Sequence, residues 1–310
     1  MSLFVRIDYE KLFVISKPLT FASIFLLIYV LFHGGEARWG AHRWINIGWG
    51  FTFQPAELAK LSIIIYTASF LTRKREIINN SKETLLPLLI ITLTIAGLII
   101  LQPDLGTAIV IVVISIILWW VAGMSTLKVL GVVTLLALLG LLFIWLEPYR
   151  RERILAFWDP WASPKGYGYQ IIQSLLAFGI GGIWGTGLGR GLQKFYYLPA
   201  PYTDFIFSVV GEELGLIGSF LIIFLYCIVG WSGFCIAKKA NTVFGKLLGM
   251  GVTFLILSQA FINLGGVTNF IPCTGLPLPF LSYGGSSMLI NMSSVGILLS
   301  IAKRSVRNGD

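Results

Sequence analysis

The sequence predicts an all-α polytopic membrane helix bundle of about eight transmembrane helices, and three observations predict it. Of 310 residues, 56% are hydrophobic and only 12% charged, and the mean hydropathy is +0.84, a composition of membrane spans rather than of a soluble domain. Eight apolar stretches approach the ~20 residues that carry a helix across a bilayer: Leu12–Phe32, Pro55–Leu71, Leu85–Leu101, Leu105–Val121, Leu127–Trp145, Leu214–Ile236, Leu247–Gly266 and Ser286–Ala302. Cations sort between the intervening loops. With both termini inside (N-in and C-in), the inner side holds 14 of the 23 Lys and Arg residues, Arg6 among them, as the retention of positive charge on that side requires. Most outer cations fall in one long extracytoplasmic loop, Leu146–Asp204. Length weakens the charge rule there, although Arg150, Arg151 and Arg153 stand beside a helix end and count against this orientation.

Several function classes drop out. The formal charge of +9 reads as topology, and no nucleic-acid module accompanies it. Cys227 and Cys235 share one apolar helix and Cys273 is alone in an outer loop, which argues against a disulfide framework and a metal cluster. His33 and His42 lie in the first outer loop with no Cys or paired carboxylate at ligand spacing, so they read as surface or interface histidines. The first apolar run follows Lys17 and Pro18 and is long enough to remain a span rather than a cleaved signal.

Taken in order, the first outer loop mixes Arg38 and Arg43 with Trp39, Trp44 and Trp49. Trp favours the head-group layer and Arg binds phosphate, so this is either a grip for a lipid pyrophosphate or an aromatic belt with incidental charge. In FQPAELAKL, Pro55 suits a first helical turn, and Glu57 and Lys60 lie three residues apart on one face. Inside a span they must face a polar cavity or neutralise each other. LQPDLG brings Asp104 to the outer side at another helix start, as a cap or as a cavity wall.

The long loop opens with EPYRRERI and the turn-rich FWDPWASPKGYG. GYQIIQSLLAF then sets Ile171, Ile172, Leu175, Leu176 and Phe178 against Gln170, Gln173 and Ser174, the pattern of an interfacial helix lying on the membrane. GIGGIWGTGLGRG packs seven glycines into 13 residues. No strand precedes it and no Gly-Lys-Ser/Thr follows, so neither nucleotide fingerprint fits. It forms either a backbone nest for an anion, assisted by Arg190 and Lys194, or a close-packing segment.

The chain is organised around YLPAPYTDFIFSVVGEEL. Asp204 closes the long loop, and an apolar run follows at once. A carboxylate at the mouth of a membrane helix, where water thins out, becomes more basic, which suits acid–base work on a lipid head group. The competing reading is that Thr203 or Asp204 caps the next helix. Glu212 falls about 80° around that helix from Asp204 and Glu213 about opposite, so neither is an obvious acid–base partner. In the last outer loop Pro272, Pro277 and Pro279 force an extended path, and Ser286 or Ser287 is placed to cap the final helix.

QPAELAK, LQPDLGTA, DPW followed by GYQIIQSLLAFGIGG, YLPAPYTDFIF with GEELG, and PLPFLSYGGSS together resemble the SEDS proteins, the FtsW/RodA/SpoVE family of cell-wall polymerases. The resemblance runs from about Asp8 to Ala302, as a single SEDS-type membrane domain, and DPW...GYQIIQS and GLQKFYYLP favour the FtsW/SpoVE branch. It implies a peptidoglycan glycosyltransferase that joins the disaccharides of lipid II, an undecaprenyl-pyrophosphate-linked disaccharide peptide, outside the bacterial cytoplasmic (inner) membrane. It implies Asp204 as the essential aspartate, acting as general base, and Glu57, Lys60 and Arg43 around the cavity, to which Asp104, Arg190 and Ser286 are added as candidates. A class B penicillin-binding protein is the implied partner, with divisome or elongasome proteins around it. No organic cofactor is expected; a divalent cation, Mg or Mn, is.

Two departures stand out. Family members usually have ten spans and this chain starts near their third, so two N-terminal helices are expected to be absent. Tyr202 stands where the family often has His before Thr-Asp. The rival functions are a flippase for the lipid-linked precursor and a non-catalytic scaffold for the transpeptidase, since polar residues inside spans also suit a transport path.

Overall fold

The computed structural model describes Met1 and residues 8–33, 36–38, 41–48, 51–146 and 148–307. Arg6, Trp39 and Trp49 lie outside the described residues, as do the side chains of Arg38, His42 and Arg150. Helices dominate: α1 (Glu10–His33), α2 (Pro55–Arg73), α3 (Leu86–Ile100), α4 (Leu105–Val121), α5 (Thr126–Leu146), α6 (Pro148–Trp158), α7 (Tyr169–Gly181), the single turn α8 (Gln193–Tyr196), α9 (Ile206–Lys239), α10 (Val243–Val267) and α11 (Gly285–Arg307). Every predicted span is a helix. The sixth begins at Ile206 rather than Leu214, so GEEL lies inside α9.

Among the described residues five segments are long and apolar enough to cross a membrane: Glu10–His33, Ser81–Ile100, Ile206–Lys239, Val243–Val267 and Gly285–Val306. Leu105–Val121 and Thr126–Leu142 are shorter apolar helices. In α2, Glu57, Lys60 and Arg73 dilute the hydropathy. Phe21, Phe25, Leu138, Leu141, Phe220 and Phe224 are exposed on helix faces, apolar surface suited to lipid and costly in water. The chain is a multi-pass helical membrane protein.

The segment between α1 and α2 holds a feature absent from the sequence reading. β1 (Glu36–Arg38), β2 (Ala41–Gly48) and β3 (Phe51–Phe53) form an antiparallel sheet in that order, with Ala37 opposite His42 and Asn46 opposite Thr52. The alternation in AHRWINIG is the signal for it, obscured by the flanking glycines and tryptophans.

The chain divides into two compact units. The first comprises Met1–Gly131, Val229–Ile256 and Gly285–Asp310. In it α1 meets α2 along a hydroxyl seam: Ser16 donates to Ser69 at 3.1 Å, Ser23 and Ser62 share a bond of 2.9 Å, and all four are buried. Small side chains let the helices approach, and their hydroxyls bond across the gap where lipid offers no partner.

The second unit comprises Val132–Ile228 and Leu257–Gly284. There α7 buries Ile171, Ile172, Ser174, Ala177 and Gly181 and exposes Leu176. This corrects the helical wheel, which set Ser174 on the polar side. The Ser174 hydroxyl bonds to Ser208 Oγ at 2.6 Å and to the Val267 carbonyl at 2.5 Å, so its burial leaves nothing unpaired. At Gly181 a Cβ would collide with the Gly211 carbonyl, and its absence lets the end of α7 lie against α9.

Candidate active site

Asp204 sits in the turn that leads into α9, in the second unit, and is half-buried. The backbone around it is clamped at three successive carbonyls. Tyr283 N–H donates to the Tyr202 carbonyl at 2.8 Å, the Ser282 hydroxyl donates to that of Thr203, and Asn263 Nδ2 of α10 donates to that of Asp204 at 2.7 Å. Asn263 Nδ2 also donates to the Leu276 carbonyl at 2.6 Å, and the Tyr226 hydroxyl donates to that of Pro279. The Pro-rich loop is therefore tied down from several sides. Gly275, at φ 70°, brings its backbone so close that a Cβ there would stand 3.3 Å from Asp204 Oδ2. A carboxylate carried on backbone held this way starts from a fixed main-chain position. The sequence reading did not single out Asn263 or Ser282; the available signal was a pair of amides, Gln259 and Asn263, one turn apart in the apolar run of α10.

The glycine-rich segment answers the choice between nest and packing. Gly189 N–H donates to Glu213 Oε2 at 2.8 Å, Leu192 N–H to Glu212 Oε1 at 2.8 Å, and Lys194 Nζ to Glu213 Oε1 at 2.6 Å. The nest is real, and the chain's own carboxylates fill it. Gly215, at φ 66° and ψ −161°, breaks the α-helical path inside α9. The break lets the carbonyls of Glu212 and Glu213 accept from Thr186 and Gly187 at 2.9 and 3.0 Å. Arg190 is exposed on this segment.

The other candidates gather in the first unit. Lys60 Nζ donates to Glu57 Oε1 at 2.7 Å, with side-chain exposures of 0% and 3%, so the two neutralise each other inside α2. Asp104 caps α4, its Oδ1 accepting from Thr107 N–H at 3.0 Å and its Oδ2 from the Thr107 hydroxyl at 2.9 Å. Arg43 Nε donates to the Gln102 carbonyl at 2.7 Å and Nη2 to that of Pro103, which pins β2 to the α3–α4 turn. Ser286 is the second residue of α11 rather than its cap. Its hydroxyl donates to the Thr52 carbonyl at 3.1 Å and accepts from Gln54 N–H at 3.0 Å, at the start of α2.

Among the described residues no three His, Cys, Asp or Glu side chains gather as a metal-binding group. The described side chains by themselves therefore form no multi-ligand cation cage. Cys227, Cys235 and Cys273 are free thiols.

Comparison with known proteins bears directly on this arrangement. The family model described as cell cycle protein, FtsW/RodA/SpoVE, matches residues 1–307. Stage V sporulation protein E of Bacillus subtilis is 42% identical over 308 residues, covering 98% of this chain and 83% of that protein. A probable peptidoglycan glycosyltransferase FtsW of Geobacter metallireducens is 41% identical over 301 residues, covering 97% and 80%. Among solved structures, a chain from a peptidoglycan synthase complex superposes with a TM-score of 0.82 at 34% identity, covering 98% and 85%. RodA of Thermus thermophilus, a rod shape determining protein, gives 0.70 at 30%, covering 97% and 82%. With a family model spanning almost its whole length and relatives of this similarity, the chain belongs to the FtsW/RodA/SpoVE family.

Proposed function

We propose that this protein is a peptidoglycan glycosyltransferase of the bacterial cytoplasmic membrane, N-in and C-in, that polymerises lipid II on the outer face. The observation that carries the proposal is the half-buried Asp204, backed by three clamped carbonyls. The names of its relatives, which include probable peptidoglycan glycosyltransferases, support the same reaction class. Asp204 takes the proton from an acceptor sugar hydroxyl. The resulting oxygen forms its bond to the donor's anomeric carbon as the bond from that carbon to the pyrophosphate oxygen breaks, and polyprenyl pyrophosphate leaves with the electron pair. A general base of this kind contributes about 10²–10⁴-fold, so stabilising the departing negative charge must contribute as well.

A divalent cation, expected from the resemblance, would take its oxygens largely from a phosphate-bearing substrate and water. The similarity to a chain of a peptidoglycan synthase complex supports a crosslinking partner of the class B penicillin-binding type. The test is polymerisation of lipid II by the purified chain, with and without that partner, beside Asp204→Asn. Polymer from the native chain and none from the variant is expected; undiminished polymer from the variant would remove Asp204 from the role. Lipid II flipping by liposomes containing the chain, without polymer, would favour a transporter.

A further inference from the structure

Two cations singled out in the sequence, Lys60 and Arg43, are held by the protein's own acceptors. Lys60 is wholly buried against Glu57, and Arg43 donates to two backbone carbonyls. One cavity in the second unit carries two cations on its wall. Arg153 of α6 and Lys165 of the turn before α7 line a space of about 450 Å³ together with Tyr167, Tyr169, Gln170 and Cys273. That volume falls within the roughly 300–1,000 Å³ of small-molecule sites. Arg153 and Lys165 are both exposed, within reach of a ligand that enters from outside.

The loop that forms part of the cavity wall also passes beside the proposed base. Cys273 is part of that wall, and Gly275, two residues on, is the residue whose backbone crowds Asp204 Oδ2. The described residues that line the cavity include two cations, Arg153 and Lys165, and no carboxylate. A guanidinium fork matches two phosphate oxygens, an ammonium supplies a point charge, and phenol and amide groups add donors.

We propose that this cavity seats the pyrophosphate of a lipid-linked substrate, gripped by Arg153 and Lys165 beside Asp204. The proposal deepens the glycosyltransferase reading and rests on it for the identity of the ligand. The seat holds the leaving group where its charge grows and leaves Asp204 to face the sugar.

The test is binding of a fluorescent polyprenyl pyrophosphate to the full chain in phosphatidylcholine nanodiscs. The variants are Arg153→Ala, Lys165→Ala, the double variant and Arg153→Lys, with Lys82→Ala as a charge-loss control and elution and melting profiles as folding checks. The double variant should lose about tenfold or more in affinity, Arg153→Lys should lose less than Arg153→Ala, and Lys82→Ala should bind as the native chain does. Added salt should weaken native binding. Native affinity in a folded double variant overturns the proposal. So does displacement of the probe by phosphatidylglycerol as readily as by unlabelled polyprenyl pyrophosphate, which would mark a general anionic-lipid patch. Asp204→Asn separates the two claims: it should keep or gain affinity for the probe. If it binds and also polymerises lipid II normally, the general base falls and the pyrophosphate seat stands. If polymerisation fails in Asp204→Asn while the double variant binds normally, the seat falls alone.

Discussion

The side-chain amide of Asn263, on α10, donates from one nitrogen to two carbonyls, Asp204 at 2.7 Å and Leu276 at 2.6 Å. This joins the proposed base to the Pro-rich loop through a single buried residue. Asn263→Leu keeps similar bulk but strands both carbonyls, and each unsatisfied buried polar group costs about 1–3 kcal/mol. The variant should melt earlier and polymerise lipid II at least about tenfold more slowly, because a small misplacement of a reacting group is costly. Unchanged turnover in Asn263→Leu would show that Asp204 does not need this support.

Glu57 and Lys60 give a different expectation. Their contact is buried at 2.7 Å, and removing one partner of such a pair typically costs about 3–5 kcal/mol, whereas replacing both with apolar groups of similar volume is often neutral. Lys60→Met should therefore destabilise the protein strongly, and Glu57→Leu with Lys60→Met should recover much of the loss. A double-mutant cycle by thermal unfolding in detergent reads the coupling directly. Additive losses would mean that the two side chains act independently.

These residues mark where sequence reading succeeds in this chain and where it stops. Helix positions were legible because a span needs a long apolar run, and each predicted run became a helix. Glu57, Lys60 and Asp104 were legible as polar side chains near helix starts, with pairing and capping left as alternatives. The partners of Glu212 and Glu213 were not, because a helical wheel relates residues within one helix and these partners lie in the separate glycine segment, residues 189–194. Nor does spacing reveal that Arg153 and Cys273 line one cavity, since 120 residues of sequence numbering separate them. Only tertiary contact joins them.

The carboxylates of Glu212 and Glu213 predict the order of the glycine segment. Leu192 and Gln193 N–H both point at Glu212, and Gly189 N–H and Lys194 at Glu213. Glu212→Ala removes the acceptor, while Glu212→Gln keeps one neutral oxygen, and charge-assisted bonds are roughly twice as strong as neutral ones. Limited proteolysis within residues 185–194 should rise most in the Ala variant and less in the Gln variant. Equal protection in all three forms would mean that glycine packing alone orders the segment.

Cys273 reports on the charges around the proposed site. Burial pushes its thiol above the usual cysteine range, and the Asp204 carboxylate pushes it further, while the Gly275 N–H and Arg153 pull it down without prevailing. The thiolate therefore forms at higher pH than for an ordinary cysteine, and alkylation of Cys273 should be slow near neutrality and climb steeply in alkali. With Cys227 and Cys235 replaced by Ala, the pH profile of that reaction isolates the one thiol. Asp204→Asn removes a negative neighbour and should move the profile to lower pH; Arg153→Ala removes a positive one and should move it to higher pH. Opposite shifts would place both charges within electrostatic reach of the same sulfur. Shifts of the same sign, or none, would contradict the arrangement on which both the general base and the pyrophosphate seat depend.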